Sequence, residues 1–488
     1  MQRACKWAGC DVPAHRRVRR TSCVLACVAL VASAHAPAGI RSLEDLSIEK
    51  LRSRGYSSRL QIVEPLGPPR DDANRGQPCG RDAGAHRASL IAEYQSDGNR
   101  VYARIDVPAS PMPPEGYPVV IFLHGWYSND DAPTFDFSNC PGTPYADVID
   151  AYAKAGFVVA YPGWRGYGTV QGRPADGIEF LKTWGNASYL SPIFSAVDVL
   201  NLLDGMQTLD EVEWKRWRVE PAVRVDLGSI HLAAHSQGGD VALTALAVAG
   251  EGSRVRNPIA SASIWAGCFA SRFQQLETYG PMDSTLQAFF SGDGTWNGTE
   301  RGANGLVNPD FVFGWPPDWI ETVDRKSPAW TWQAEHWSLP SVEAALRRKY
   351  AEMYDTLVRH VADLGDARFD VSRDAAGRTV VTHDRRVAHG MARIGGFGYP
   401  QYLREPLILH ISDQDYYSTP AWNEDLVRRI EEAGGQGTVF LYPGNTHGLR
   451  KSQHHWFSGA GVVPGFDYML RRDVALFSGK DPRQVRYP

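Results

Sequence analysis

Ser236 stands in Ala234-His235-Ser236-Gln237-Gly238, with a second glycine at Gly239. The apolar run Ile230–Ala234 leads into it, and the Ala/Leu-rich, helix-forming stretch Asp240–Ala249 leads out. A strand that turns sharply into a helix at small-x-Ser-x-Gly presents the serine hydroxyl at the tip of the turn. The backbone there is strained, and only small neighbours fit where strand and helix close on each other. Alanine holds the position where glycine is usual, so the pattern is a relaxed one. A serine hydroxyl is a weak nucleophile near neutral pH. It needs a base, and the base needs an orienting acid.

Both follow in the chain. Pro406–Ile411 reads as a buried strand that runs into Ser412-Asp413-Gln414-Asp415, and a helix-like stretch from Thr419-Pro420 ends near Glu432. A carboxylate just past the C-terminal end of such a strand is where open α/β sheets place site residues. Thr438–Tyr442 is a further short strand, and the loop Pro443-Gly444-Asn445-Thr446-His447-Gly448 carries a histidine. Upstream, the apolar run Val119–Leu123 ends at His124-Gly125-Trp126. Backbone N–H groups in a glycine-containing loop at a strand end can meet a developing alkoxide, with the N–H after the nucleophile as partner. The expected donors are Trp126, or Gly125 if the loop register differs, and Gln237.

These parts in this order resemble the α/β-hydrolase superfamily, and within it the prolyl-oligopeptidase-like and acetyl-esterase-like branch. Tyr94–Gly98, Tyr102–Pro108 and Pro118–Gly125 look like that branch's opening hairpin and first core strand. Gly156–Pro162 followed by Arg165-Gly166-Tyr167-Gly168 looks like the next strand and its loop. The resemblance covers about residues 88–268 and 404–475. It implies an α/β fold, a mostly parallel doubly wound sheet, with Ser236 as nucleophile, His447 as base and Asp415 as acid. Asp413 is the alternative acid, but the family-like spacing from Ser412 favours Asp415. His235 is expected to turn away and pack. Arg165 is a candidate for binding a substrate carboxylate, or else ties its own loop.

Composition sets outer bounds. The chain has 488 residues, more than one ordinary domain, with 22% charged residues and a net charge of −4. That balance offers no basic footprint for nucleic acid. No His-Glu-x-x-His or Cys-x-x-Cys pair is present, so neither a catalytic metal nor another cofactor is expected. Arg16, Arg17, Arg19 and Arg20 precede an apolar stretch, Thr21–Ala34, too short to span a bilayer, and small residues follow it. This is the pattern of a signal peptide over 1–36, and it implies a periplasmic or secreted protein without a stable membrane span. Four of the seven cysteines would leave with it. Of the remaining three, Cys79 and Cys140 lie in Pro/Gly-rich loops suited to a disulfide, and Cys268 is expected to pack as a small apolar residue.

The expected organisation is an N-terminal arm over 37–87, a catalytic domain over 88–268 and 404–488, and a partly helical cap insertion over 269–403. The arm carries one strand-like piece, Leu60–Leu66. In the cap, Val342, Leu346, Met353, Leu357, Val361 and Leu364 form one apolar stripe behind Ser338 and Pro340, which predicts a helix. The cap also holds Trp296, Trp315, Trp319, Trp330, Trp332 and Trp337. They form either the cap's own core or an aromatic cleft, in which case Trp315 and Trp319 are the candidate substrate contacts. The expected activity is hydrolysis of a small-molecule or polymeric carboxylic ester, with peptide hydrolysis as the alternative and a non-catalytic binding protein as a third reading. Nothing in the chain looks like a propeller gate or an amine-binding glutamate pair, hence the preference for an ester.

Overall fold

Buried strands come first in the architecture, because each is an apolar run flanked by turn residues. A computed structural model of the chain describes residues 40–66, 84–127, 132–137, 145–184, 189–277, 340–412, 415, 418, 420–443, 445, 447–449 and 463–488. Nine strands form the central sheet: β1 (Gln61–Pro65), β2 (His86–Ser96), β3 (Asn99–Pro108), β4 (Tyr117–Leu123), β5 (Val158–Pro162), β6 (Val225–His235), β7 (Ser261–Trp265), β8 (Leu407–Ile411) and β9 (Gly437–Leu441). Their order across the sheet is β1-β2-β3-β5-β4-β6-β7-β8-β9. From β5 to β9 every pairing is parallel, whereas β1, β2 and β3 pair antiparallel at one edge. A strand covered on both faces must be apolar at every position, and Val119–Leu123 are all fully buried. The β2–β3 hairpin turns on Asp97 and Gly98, both at positive φ, which is the twist that a two-residue turn between such strands requires.

Nine α-helices lie among the described residues: α1 (Ile48–Ser53), α2 (Ala146–Lys154), α3 (Ile178–Trp184), α4 (Ser191–Gly205), α5 (Gln237–Ala249), α6 (Pro340–His360), α7 (Arg385–Ala392), α8 (Pro420–Glu432) and α9 (Phe466–Phe477). α1 and α4 pack with α5, and α2 packs with α9. One polar cluster ties that second pair to the sheet. Asp473 of α9 accepts hydrogen bonds from Tyr152 of α2 at 2.7 Å and Ser263 of β7 at 2.5 Å, and meets His410 of β8 at 2.9 Å. None of the described helices is long and apolar enough to cross a membrane.

Two attachments add to the organisation read from the sequence. The strand-like piece of the arm is β1, which extends the sheet as its edge strand, and the Arg52 side chain of α1 caps the end of α5 through the carbonyls of Ala247, Gly250 and Glu251. The described ends of the insertion also belong to the core flank. Arg272 is buried against Asp240 of α5, and Gly396 lies so close to α5 that a Cβ there would stand 2.1 Å from the Leu243 carbonyl oxygen. The described residues, from 40 to 488, form one compact unit. α6 buries Leu346, Met353 and Leu357 as its stripe requires, with Val361 and Leu364 buried just beyond it, and a short hairpin (Phe369–Arg373 with Thr379–His383) follows. The signal segment, Cys79, Cys140, Ser338 and the six cap tryptophans lie outside the described residues.

Candidate active site

β6 delivers Ser236 to the C-terminal edge of the sheet. The serine has φ 55° and ψ −124°, and α5 begins at the next residue. This strained turn is fixed from both sides: the Ser236 N–H donates to the Trp265 carbonyl at 3.2 Å, and its own carbonyl accepts from Gly239 and Cys268, each at 2.9 Å. Gly238 is obligatory for a steric reason. A Cβ there would stand 2.5 Å from the carbonyl oxygens of both Leu123 and His124, a distance that backbone atoms do not permit.

The ends of β8 and β9 bring the other two groups. His447 Nε2 is 3.0 Å from Ser236 Oγ, and His447 Nδ1 is 2.8 Å from Asp415 Oδ2. Asp415 is 3% exposed, and its other carboxylate oxygen accepts the Ser418 N–H at 3.0 Å. Ser418 Oγ in turn donates to the Gly267 carbonyl at 2.6 Å, so the acid loop is fastened to the end of β7. The loop of His447 is held by Asn445, whose amide donates to the carbonyls of Pro443 and Val463 and whose Oδ1 accepts from Gly465 N–H. Ser412 Oγ joins the two loops by donating to the Asn445 carbonyl. The three side chains therefore come from three loops with their own anchors. Asp413, the alternative acid, lies outside the described residues.

A mostly parallel sheet with the serine, carboxylate and histidine after the C-terminal ends of β6, β8 and β9, in the chain order Ser, Asp, His, decides the architecture. The chain has an α/β-hydrolase fold. No protein-family model and no curated protein sequence matches it. Among solved structures it is similar to a protein described as a dipeptidyl aminopeptidase IV from Bacteroides ovatus (11% identity, 82% of this chain and 36% of that one, TM-score 0.43). It is also similar to an acylaminoacyl peptidase of Pyrococcus horikoshii (12%, 81% and 44%, TM-score 0.42). An acetyl xylan esterase from Paenibacillus sp. R4 is similar over 90% of this chain and 96% of its own, at 13% identity and a TM-score of 0.43. The chain thus spans less than half the length of each of the two peptidases. Likeness this distant carries no argument about activity, which must come from the site.

In this fold the loop after β4 closes against Ser236. A Cβ on Gly125 would lie 3.1 Å from Ser236 Cβ and 2.8 Å from the Tyr145 hydroxyl. The Gly125 N–H is already spent, donating to Tyr145 Oη at 2.7 Å. Neither Trp126 nor Gln237 has a backbone N–H bonded among the described residues, and the Trp126 side chain is half exposed at the surface. His124, just before this loop, is fully buried and stacked on Trp164 at 3.8 Å between ring centroids. Burial brings its pKa down to about 4, so the ring is neutral and its Nδ1 donates to the Gly125 carbonyl at 2.6 Å.

The Arg165 guanidinium is buried and taken up by carboxylates of the chain itself. It makes a bidentate pair with the fully buried Asp198 of α4, at 2.7–3.1 Å, and reaches Asp97 at 3.5 Å. The reason is desolvation: an arginine only 5% exposed needs a carboxylate partner, and Asp198 supplies it. Trp315 and Trp319 lie outside the described residues. His235 packs on Trp265 and is hydrogen-bonded on both ring nitrogens. Two side chains at the site were not anticipated. Tyr145 bridges Gly125 and His235, and Cys268, half-buried and packed against the core as expected, also places Sγ 3.5 Å from Ser236 Oγ. Only the apolar strand before Cys268 hinted that it sits at a sheet edge.

Proposed function

We propose that this chain is an exported serine hydrolase that cleaves a carboxylic ester through an acyl-enzyme. The observation that carries the reading is the continuous chain of contacts from Asp415 Oδ2 through His447 to Ser236 Oγ, at 2.8 and 3.0 Å. Ser236 Oγ attacks the ester carbonyl carbon as its proton passes to His447 Nε2. The carbonyl oxygen takes up the electron pair and faces the N–H groups of Trp126 and Gln237. Collapse breaks the bond to the alcohol oxygen, which leaves with the proton from His447. Water then loses a proton to the same nitrogen and attacks the acyl carbon, which releases the acid and restores Ser236. Asp415 holds the tautomer with hydrogen on Nδ1 and stabilises the imidazolium formed in each half. A backbone donor of the kind assigned to Trp126 and Gln237 contributes about 3–4 kcal/mol to the transition state.

Substrate size is assigned to the 269–403 segment, with bulky or aromatic esters as the expected class because of its six tryptophans. Export follows from the Arg16–Ala36 pattern. A fluorophosphonate probe should label the wild-type protein on Ser236, and Ser236→Ala should lose the label and several orders of magnitude in turnover. Label that persists on another serine would reject the assignment. Parallel rates on p-nitrophenyl esters and aminoacyl anilides decide the leaving group. Anilide cleavage without ester cleavage would replace the esterase with a peptidase.

A further inference from the structure

His235, the residue before the nucleophile, is buried inside a chain of hydrogen bonds that runs from one site loop to another. Gly125 N–H donates to Tyr145 Oη at 2.7 Å, and that oxygen lies 2.8 Å from His235 Nδ1. On the far side of the ring, His235 Nε2 is 3.3 Å from the backbone carbonyl oxygen of His447. Counting hydrogens assigns every role. The phenol oxygen accepts from Gly125, so its single hydrogen goes to Nδ1, which must be the unprotonated nitrogen. Nε2 then carries the ring's hydrogen and donates to the His447 carbonyl. The opposite tautomer would set a nitrogen lone pair against a carbonyl oxygen.

Both groups are held in the forms that this count requires. Burial, with His447 close by, keeps the His235 pKa well below the ordinary histidine range, so the ring is neutral. Burial raises the Tyr145 hydroxyl well above the ordinary tyrosine range, so the phenol keeps its hydrogen.

We propose that Tyr145 and His235 are positioning residues that lock the loop after β4 to the loop carrying His447, so that oxyanion donor and general base are set as one hydrogen-bonded unit. The proposal rests on the serine-hydrolase reading above. At one end, the unit consumes the Gly125 N–H while His124 holds the Gly125 carbonyl. In a trans peptide the carbonyl and the following N–H point in opposite directions, so pinning that carbonyl aims the Trp126 N–H. At the other end, the unit fixes the backbone of His447, whose ring must meet Asp415 and Ser236 at once. Two loops separated by more than 300 residues thereby share one reference point.

The test needs no knowledge of the substrate. The rate of fluorophosphonate labelling of Ser236 in the full chain reports nucleophile, base and oxyanion donors together, and its pH midpoint reports His447. Tyr145→Phe keeps the ring that packs on Phe122 at 5.1 Å and removes only the bridging oxygen. Labelling should slow by roughly ten- to a hundredfold, the cost of small misplacements at a reacting centre. His235→Gln should slow it similarly. The double variant should be no slower than the worse single, because both changes break the same unit. The pH midpoint should move in each. His235→Asn, which keeps an acceptor near the phenol but cannot reach the His447 carbonyl, carries the same expectation and serves if Tyr145→Phe does not fold. A merely structural pair would lower the melting temperature and leave the labelling rate and pH midpoint of the folded protein unchanged; that result overturns the proposal alone. Absence of labelling in the wild-type protein overturns the hydrolase reading and the proposal with it.

Discussion

Ser236 occupies a conformation that a serine ordinarily avoids, and three backbone hydrogen bonds hold it there. Such strain persists only where the surroundings over-determine it, which is why the flanking residues are small and why the sequence pattern betrays the position. Asp415 and His447 were legible for a related reason: Asp415 follows the buried β8 and His447 the half-buried edge strand β9, and parallel strand ends in an open α/β sheet point to a common edge. Tyr145, Asp198 and Cys268 were not legible, because each meets its partner through the packing of distant elements. A lone arginine in a glycine-rich loop looks like a ligand for an external anion until the carboxylate 33 residues later is seen beside it. At this scale the acid makes a sharp test. Asp415→Asn preserves shape but offers His447 Nδ1 an amide, which favours the wrong tautomer. The expected loss is about 10⁴-fold in kcat with little change in KM. Asp413→Asn should cost far less, and steady-state kinetics showing the reverse ranking would move the acid by two residues.

At the scale of elements, continuous apolar runs announced the parallel strands, and the loops between them came out in the right order. What the sequence hid is where the arm and the insertion attach. β1 is an edge strand whose pairing depends on β2, and the hairpin at 369–383 alternates over only five residues in each strand, too short a run to stand out. Phe369, Val371, Thr379 and Val381 are among the more buried positions, with exposed ones between them. The attachment of the insertion to α5 is polar and concentrated. Arg272 is 2% exposed and meets Asp240, fully buried, at 2.6 Å, while its other nitrogens donate to the carbonyls of Tyr189 and Ile394. Gln275 adds a donor to the second Asp240 oxygen at 3.2 Å. Removing one partner of such a pair strands the other without solvent. Arg272→Met should therefore destabilise by about 3–5 kcal/mol in urea unfolding, whereas Arg272→Met with Asp240→Leu should recover much of that loss, since an apolar pair of similar volume needs no compensation. A double variant as unstable as the single would assign the cost to the lost carbonyl contacts.

For the whole molecule, the balance of buried titratable groups sets the response to acid. Burial brings His124, His231 and His383 down to pKa values of about 4 and holds His235 well below the ordinary range, with His447 adding to the last. Each folded pKa is depressed, so the neutral ring is favoured on folding. The resulting stability is fully present above the unfolded value near 6.5 and is lost as pH falls through that window toward 4. Glu277 works the other way. Burial raises it to about 7, so its contribution is present below its unfolded value of 4.5 and is lost as pH rises to 7. Burial raises Glu405 as well, so among the described residues two carboxyls gain stability on acidification while four histidines, and Asp384 held down by Arg386, lose it; the expected net effect is acid destabilisation. His231 isolates one share of that loss cleanly, because it is 4% exposed, sits beside Phe157 and Phe477, and its ring bonds, among the described residues, only Ser229 and Ser261. A shift from 6.5 to about 4 corresponds to about 3 kcal/mol. His231→Gln should lose some stability at pH 7.5 but less of what remains on going to pH 4.5, narrowing the gap to the wild-type protein by up to that amount. Urea midpoints measured across this range give the comparison. A wild-type slope retained in the variant would mean that His231 is protonated alike in the folded and unfolded chains.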